Sequence, residues 1–247
     1  MIYFASDIHL GGGDAATARA VERRFAAWLD RAAADAEAVV LAGDVFDFWF
    51  EYRRVVPKGF VRILGRLAAL ADRGVRVIFF TGNHDMWVTD YLARECGAEI
   101  HTAPAVLELC GLRLFVAHGD NMNVGRKPML RFMNAVFRSR TLRWLFSRLV
   151  HPDLAVRFGR WWSAASRRRH EAAPADASHT EPLIDYARAY ARTHPGVDCF
   201  VFGHMHHARD YREPGLRTLH LGSWEREPVY AVLDAAGGLR LETFDLP

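Results

Sequence analysis

Val39-Val40-Leu41-Ala42-Gly43-Asp44-Val45-Phe46-Asp47 runs four apolar residues into a glycine and two carboxylates. The apolar run is short and has no polar face, so it reads as a buried strand. Gly43 lets the chain turn sharply at the strand's end. Asp44 then falls where open α/β sheets bind ligands, at the carboxyl ends of their strands. The arrangement recurs along the chain. Ile2 to Ala5 leads to Asp7-Ile8-His9, and Val75 to Phe80 leads to Gly82-Asn83-His84-Asp85. Leu112 to Ala117 leads to His118-Gly119-Asp120, and Cys199 to Phe202 leads to Gly203-His204-Met205-His206.

Working outward, the segments between these strands have helical spacing. Thr17 to Asp35 places Val21, Phe25, Trp28 and Leu29 on one face, and Phe60 to Arg73 does the same with Val61, Leu64, Leu67 and Ala71. Asp90 to Cys96 reads as a short helix ended by Gly97. Val106 to Leu109 and Leu112 to Ala117 flank Cys110-Gly111, a hairpin signal. Later come strands at Ala208 to Tyr211, Thr218 to Leu221, Val229 to Leu233 and Leu239 to Phe244. Strands alternating with helices, then mostly strands, predict a layered α/β or α+β sandwich. The 247 residues suit a single domain over 1–247.

A different pattern occupies about 121–193. Leu130, Phe132, Met133, Val136 and Phe137 form one apolar group, and Leu142, Trp144, Leu145, Phe146, Leu149 and Val150 another. Val156, Phe158, Trp161 and Trp162 form a third. Two or three amphipathic helices inserted into the sandwich are expected, with a polar loop at 172–178. From Arg126 to Arg169 there are twelve basic residues and one carboxylate, Asp153, although the whole chain carries only +3. Such a segment faces something anionic. Its apolar stripe is either a face packed on the domain or an interfacial membrane helix.

Composition removes other classes. No window holds the roughly 18 uninterrupted apolar residues of a membrane span. Met1-Ile2-Tyr3-Phe4-Ala5 has no basic stretch before Asp7 and His9, so no secretory leader is expected. Cys96, Cys110 and Cys199 are odd in number and scattered, which indicates reduced thiols in a cytoplasmic setting.

Carboxylates, imidazoles and one carboxamide suit Mn²⁺, Fe or Zn²⁺ better than Ca²⁺ or a thiolate site. Two such cations roughly 3.5–4 Å apart clamp the attacking and leaving oxygens of an in-line displacement. A bridging carboxylate would offer one oxygen to each. Any one of the five motifs alone is a common loop. The ordered set, each member following a strand, is what points to a two-metal phosphoesterase.

The series D-x-H, G-D-x-x-D, G-N-H-D, H-G-D and G-H-x-H resembles the calcineurin-like metallophosphoesterase superfamily over residues 1–234. The resemblance implies a sandwich of two mixed β-sheets flanked by helices. It implies a first cation held by Asp7, His9, Asp44 and His206, and a second held by Asp44, Asn83, His118 and His204. It puts His84 beside the phosphate as general acid or charge stabiliser, oriented by Asp85. Gly43-Asp44-Val45-Phe46-Asp47-Phe48-Trp49 and Leu221-Gly222-Ser223-Trp224 are similar to the UDP-2,3-diacylglucosamine pyrophosphatases. That narrower resemblance implies cleavage to 2,3-diacylglucosamine 1-phosphate and UMP with two divalent cations, Mn²⁺ first. It implies a nucleotide-activated acylated sugar as substrate and peripheral attachment to the cytoplasmic face of the inner membrane. The helical insertion would accommodate the acyl chains, and Asn83, His84, Ser163, Ser166, Arg167, Arg168 and His204 would contact substrate. No protein partner is implied.

Two features depart from that family. Several members carry Arg where this chain has His84, and some follow H-G-D with acidic residues and a Tyr where this chain has Asn121 to Met129. Another phosphoesterase substrate (a phosphoprotein, cyclic nucleotide or nucleic acid) therefore stays open, as does a scaffold that binds without hydrolysis. The many large apolar residues of the insertion argue against nucleic acid. Asp47 is expected to support a metal-binding His from behind. Trp49 and Trp224 are either core or substrate contacts, and Arg167, Arg168 and Arg169 either a solvated face or a charge partner.

Overall fold

The computed structural model describes residues 1–122, 135–137, 139–171 and 180–245. Leu130, Phe132, Met133, the stretch 123–129 and the loop 172–178 lie outside the described residues.

Two mixed sheets face one another. The first has the order β11-β10-β1-β2-β3-β4, from β1 (Ile2–Ala5), β2 (Ala38–Ala42), β3 (Arg76–Phe80), β4 (Glu99–His101), β10 (Val229–Leu233) and β11 (Leu239–Thr243). The second has the order β5-β6-β7-β9-β8, from β5 (Ala105–Leu109), β6 (Leu112–Ala117), β7 (Cys199–Phe202), β8 (Ala208–Glu213) and β9 (Leu216–Leu221). β1 to β4 run parallel, with Phe4 opposite Val40 and Val40 opposite Ile78. β6, β7 and β9 are also parallel, so the motif-bearing strands of each sheet end at the same edge.

Strand alternation builds the layers. Ile2, Phe4, Val40 and Ile78 meet Leu114, Val116, Val201 and Leu219 in the core between the sheets. Tyr3, Ala5, Val39 and Leu41 point outward to α1 (Ala15–Ala32), α2 (Val61–Asp72) and α3 (Tyr91–Cys96). α1 begins earlier than its apolar spacing predicts, because Asp14 caps it, accepting from the Thr17 amide at 2.7 Å. β4 is absent from the sequence reading; it is three residues long with no fully buried position, too short for a periodic signal.

α4 (Arg140–Leu149), α5 (Pro152–Glu171) and α6 (Glu181–Thr193) fill the expected insertion. α6 behaves unlike its neighbours: Leu183, Ile184 and Ala187 pack on Phe115, Ala117, Phe200 and Phe202, so it flanks the second sheet. α4 docks through Phe146 on Phe50, with ring centroids 5.1 Å apart, while Tyr52 donates to the Val150 carbonyl at 3.1 Å. α5 buries Ala155, Gly159 and Ser163, one per turn. A Cβ at Gly159 would collide with the Phe48 ring, so this small stripe is what lets α5 lie flat beside the strand-end loops. Most of the large residues of both helices face outward. Leu142, Trp144, Leu145, Leu149, Leu154, Phe158, Trp161 and Trp162 are all exposed. Trp49 and Trp224 are fully buried and belong to the core.

Candidate metal centre

The loops after β1 and β2 continue as a ladder past the strand ends. Asp7 N donates to Gly43 O at 3.1 Å, His9 N to Asp44 O at 3.0 Å, and Leu10 N to Val45 O at 2.9 Å. That pairing sets Asp7, His9 and Asp44 side by side. Asp7, His9, Asp44, His204 and His206 all have positive φ, between 49° and 68°. Aspartate and histidine tolerate this region better than most residues. Each such position still costs about 1–3 kcal/mol, a strain retained only where the surroundings impose it. A Cβ on Gly82 would collide with the Asp44 carboxylate, so glycine is required for the β3 loop to close on β2.

The hydrogen bonds select which oxygens remain for a ligand. Asp7 Oδ2 accepts from Ser6 Oγ at 2.6 Å and from His204 N at 2.9 Å, which leaves its buried Oδ1 to face the His206 ring. That Oδ1 lies 3.3 Å from His206 Nε2, which is itself 3.1 Å from His9 Nε2. Asp44 Oδ1 accepts the His84 amide at 2.8 Å. Its Oδ2 lies 3.2 Å from His118 Nε2 and 3.9 Å from both His9 Nε2 and His84 Nε2. His118 Nε2 is also 3.3 Å from Asn83 Oδ1, and His204 joins Asp44 and His118 in one cluster. Two donors each about 2.1 Å from one ion sit roughly 3 Å apart, the separation found here. The donor set therefore fits a divalent pair. Asp44 differs from the bridging expectation in one respect: Oδ1 is taken by backbone, so Oδ2 alone faces both groups.

Groups behind the ligands fix their tautomers. His118 Nδ1 donates to the Ala42 carbonyl at 3.0 Å, which turns Nε2 towards Asp44. His84 Nδ1 donates to the Asp47 carbonyl at 2.9 Å. Asp47 Oδ1 sits 3.8 Å from His9 Nδ1 and accepts from Ser163 Oγ at 2.5 Å. Ser163, expected to touch substrate, is buried, and its hydroxyl joins α5 to the centre. Asp85 was expected to orient His84. Its carboxylate instead accepts the amides of Gly82 at 2.7 Å and Val45 at 2.8 Å, tying the β2 and β3 loops together. The side chains of Ser166, Arg167 and Arg168 lie outside the described residues.

The electrostatics favour cations. Burial raises the Asp7 carboxyl, but the adjacent His206 outweighs it and holds it down at about 2. Burial likewise opposes ionisation of Asp44, yet the His118 and His84 imidazoles keep it well below the usual carboxylate range. Burial, then the neighbouring His84, pushes His9 well below the ordinary imidazole value, so it presents a neutral ring. Burial and the Asp44 charge push Asp85 up to about 7.

Sequence reasoning missed Ser6 and the Ala42 carbonyl as supports for Asp7 and His118. A serine before a strand-end aspartate is a weak signal for the first, and a backbone carbonyl leaves none for the second.

A cavity of about 650 Å³ opens beside Asp47 and Leu10, between the 48–60 loop and α5. Phe48, Phe50, Val55 and Val56 line it, with Lys58, Arg157 and Arg160 around them.

Residues 1–208 match the family model described as calcineurin-like phosphoesterase. The chain is 42% identical over 246 residues to a UDP-2,3-diacylglucosamine hydrolase of Porphyromonas gingivalis, covering 94% of each. It is 28% identical to the enzyme of that name from Ralstonia nicotianae, covering 91% of this chain and 84% of the other. A solved archaeal phosphodiesterase superposes with a TM-score of 0.51 at 13% identity, covering 98% of this chain and 99% of that one, a likeness of fold alone. With its five motifs gathered into one buried cluster at the sheet edge, the chain belongs to the calcineurin-like phosphoesterase family.

Proposed function

We propose that this protein hydrolyses the pyrophosphate bond of UDP-2,3-diacylglucosamine, releasing 2,3-diacylglucosamine 1-phosphate and UMP. The observation that carries the reading is the juxtaposition of a buried Asp/His cluster with a large apolar cavity edged by Lys58, Arg157 and Arg160. A substrate with a charged middle and acylated sugar needs both. The relatives named above carry the same activity in their names.

Asp7, His9, Asp44 and His206 hold one cation, and Asp44, Asn83, His118 and His204 the other, with Mn²⁺ as the preferred metal. When bound, the pair supplies an activated water and neutralises phosphoryl charge. The chain does the rest. His84, its Nδ1 fixed on the Asp47 carbonyl, presents Nε2 to the departing oxygen. Lys58, Arg157 and Arg160 offset the substrate's remaining negative charge. Ser163 ties α5 to Asp47 beside His9. Water adds to one phosphorus, and the bridging oxygen departs with the other.

The same protein works as a peripheral protein on the cytoplasmic face of the inner membrane. No helix among the described residues is long and apolar enough to cross a membrane. The exposed aromatics of α4 and α5, beside Arg143, Arg148, Arg157 and Arg160, suit a helix pair lying in an anionic interface.

Detergent-dispersed UDP-2,3-diacylglucosamine with Mn²⁺ is the test: UMP appears with the parent and vanishes with Asp44→Ala. A parent that cleaves only a generic aryl phosphodiester loses the lipid assignment and keeps the metal centre.

A further inference from the structure

Gly11-Gly12-Gly13-Asp14 follows the His9 loop, leads into α1 and contributes no side chain to the metal centre. A cavity of about 420 Å³ opens there, between this stretch, the Lys58 to Arg62 stretch that starts α2, and Arg160 of α5. Small-molecule sites span about 300–1,000 Å³, so the space suits a ligand of several heavy atoms. No ligand of the metal centre lies in its described lining. Gly11 and Gly13 leave one wall as bare backbone, which lets a ligand come close.

The cleft is cationic. Arg19, Lys58, Arg62 and Arg160 line it against two carboxylates, Asp14 and Glu22. Both carboxylates are engaged. Asp14 accepts the Thr17 amide at the start of α1. Glu22, nine-tenths buried, accepts from Arg19 Nη1 at 2.6 Å and lies 3.6 Å from Arg62 Nη1. One buried carboxylate therefore steadies two guanidinium groups, one from α1 and one from α2. A guanidinium has five N–H donors, so each keeps donors to offer after meeting Glu22. Planar forks of this kind match the oxygens of a phosphate group.

The same cleft meets an apolar space. It shares Gly11, Lys58, Phe60 and Arg160 with the larger cavity beside Asp47. Two exposed valines mark this side, Val61 in the lining of the basic space and Val55 in that of the apolar one. A free anion gains nothing from such a rim, whereas a phosphate carrying acyl chains does.

We infer that this cleft is a phosphate-group site, separate from the metal centre, whose occupant is the headgroup of an anionic phospholipid held by Arg19 and Arg62. The choice of a lipid over soluble phosphate rests on the interfacial reading above; the phosphate chemistry does not. A filled site would hold the mouth of the apolar cavity against the lipid surface.

The experiment uses the Mn²⁺-loaded full chain and phosphatidylcholine vesicles doped with phosphatidic acid or with oleate, matched in surface potential. Both dopants add negative charge, and only phosphatidic acid adds a phosphomonoester. Arg19→Gln with Arg62→Gln is expected to weaken binding to phosphatidic acid about tenfold more than binding to oleate, the scale of one charge-assisted hydrogen bond. Arg62→Lys keeps the charge and loses the fork, so its loss, also about tenfold, should fall on phosphatidic acid alone. Unaltered hydrolysis of an aryl phosphodiester shows that each variant is folded. Equal losses on the two vesicles, or none, overturn the lipid headgroup. Calorimetry with inorganic phosphate then judges the cleft itself. A parent that binds one equivalent more than the double variant keeps it as a site for soluble phosphate, and equal stoichiometry overturns it altogether. A parent that binds neither vesicle refutes the interfacial reading, and the calorimetry alone decides the cleft.

Discussion

At the strand ends, Asp7, His9, Asp44, His84, Asp85 and His118 are buried, polar and partly strained. On α4 and α5, Trp144, Leu149, Leu154 and Trp161 are each more than half exposed, while Ala155, Gly159 and Ser163 face the domain. One region puts charge inside and the other puts large apolar groups outside. Each inversion is unfavourable to the isolated chain. Burying a charge is costly without a counter-charge, and an exposed Trp or Leu forgoes about 1.5–3 kcal/mol of burial. The comparison teaches that each region calls for something outside the chain: cations for the first and, in the function proposed above, a lipid surface for the second.

The largest expected effect comes from removing the oxygen that faces both ligand groups. Asp44→Asn should lower phosphodiesterase activity by well over 100-fold, beyond the roughly 10–100-fold typical of a supporting residue. Bound metal, measured on the desalted protein, should fall with it. Retained metal at two equivalents would break the assignment of Asp44 as the shared ligand.

Ser163→Ala should cost activity about 10-fold, because Asp47 then loses the α5 hydroxyl that holds it beside His9. The split between kcat and KM sharpens the point: a substrate contact would appear mainly in KM, a supporting role mainly in kcat and metal affinity.

The strand-end region was the more legible in sequence. A strand and the ligand following it are local, so Asp44 and His118 could be placed before any fold was known. Ser163 and Asp47 meet across 116 residues, and no local pattern announces that pairing. The positive φ of Asp7 and His9 was equally silent, since no glycine stands there. On the insertion, aromatic and Arg residues were visible, yet periodicity could not say which face docks. The answer lay in the small residues Ala155, Gly159 and Ser163. α6 shared the insertion's boundaries in the sequence and packs on the second sheet because Leu183 and Ile184 find Phe115 and Phe200.

Added Mn²⁺ should raise the melting temperature, by about 2.7 kcal/mol of stabilisation at a hundredfold excess over Kd. Trp144→Glu with Trp161→Glu should leave that response in place while reducing sedimentation with anionic vesicles by about tenfold or more. A double variant that sediments like the parent would break the membrane half of the comparison.

The smallest effect concerns a buried histidine outside both regions. Burial pushes His220 down to about 3 from 6.5. The folded state holds it neutral, so its contribution is fully present above about 6.5 and is lost as pH falls towards 3. In His220→Gln, unfolding free energy measured between about pH 6.5 and 5 should fall less steeply, by at most about 1.4 kcal/mol per pH unit. An unchanged slope would show that His220 is not held neutral.

The outward placement of Trp144, Trp161 and Trp162 has an optical consequence. Trp28, Trp49 and Trp224 are sealed in the core and Trp87 is half-buried, so the other indoles fall into a silent set and a responsive one on either side of it. Intrinsic emission should blue-shift when the exposed set leaves water for acyl chains, and brominated lipids should quench that set selectively. The protein would thus carry its own label for the lipid surface proposed above.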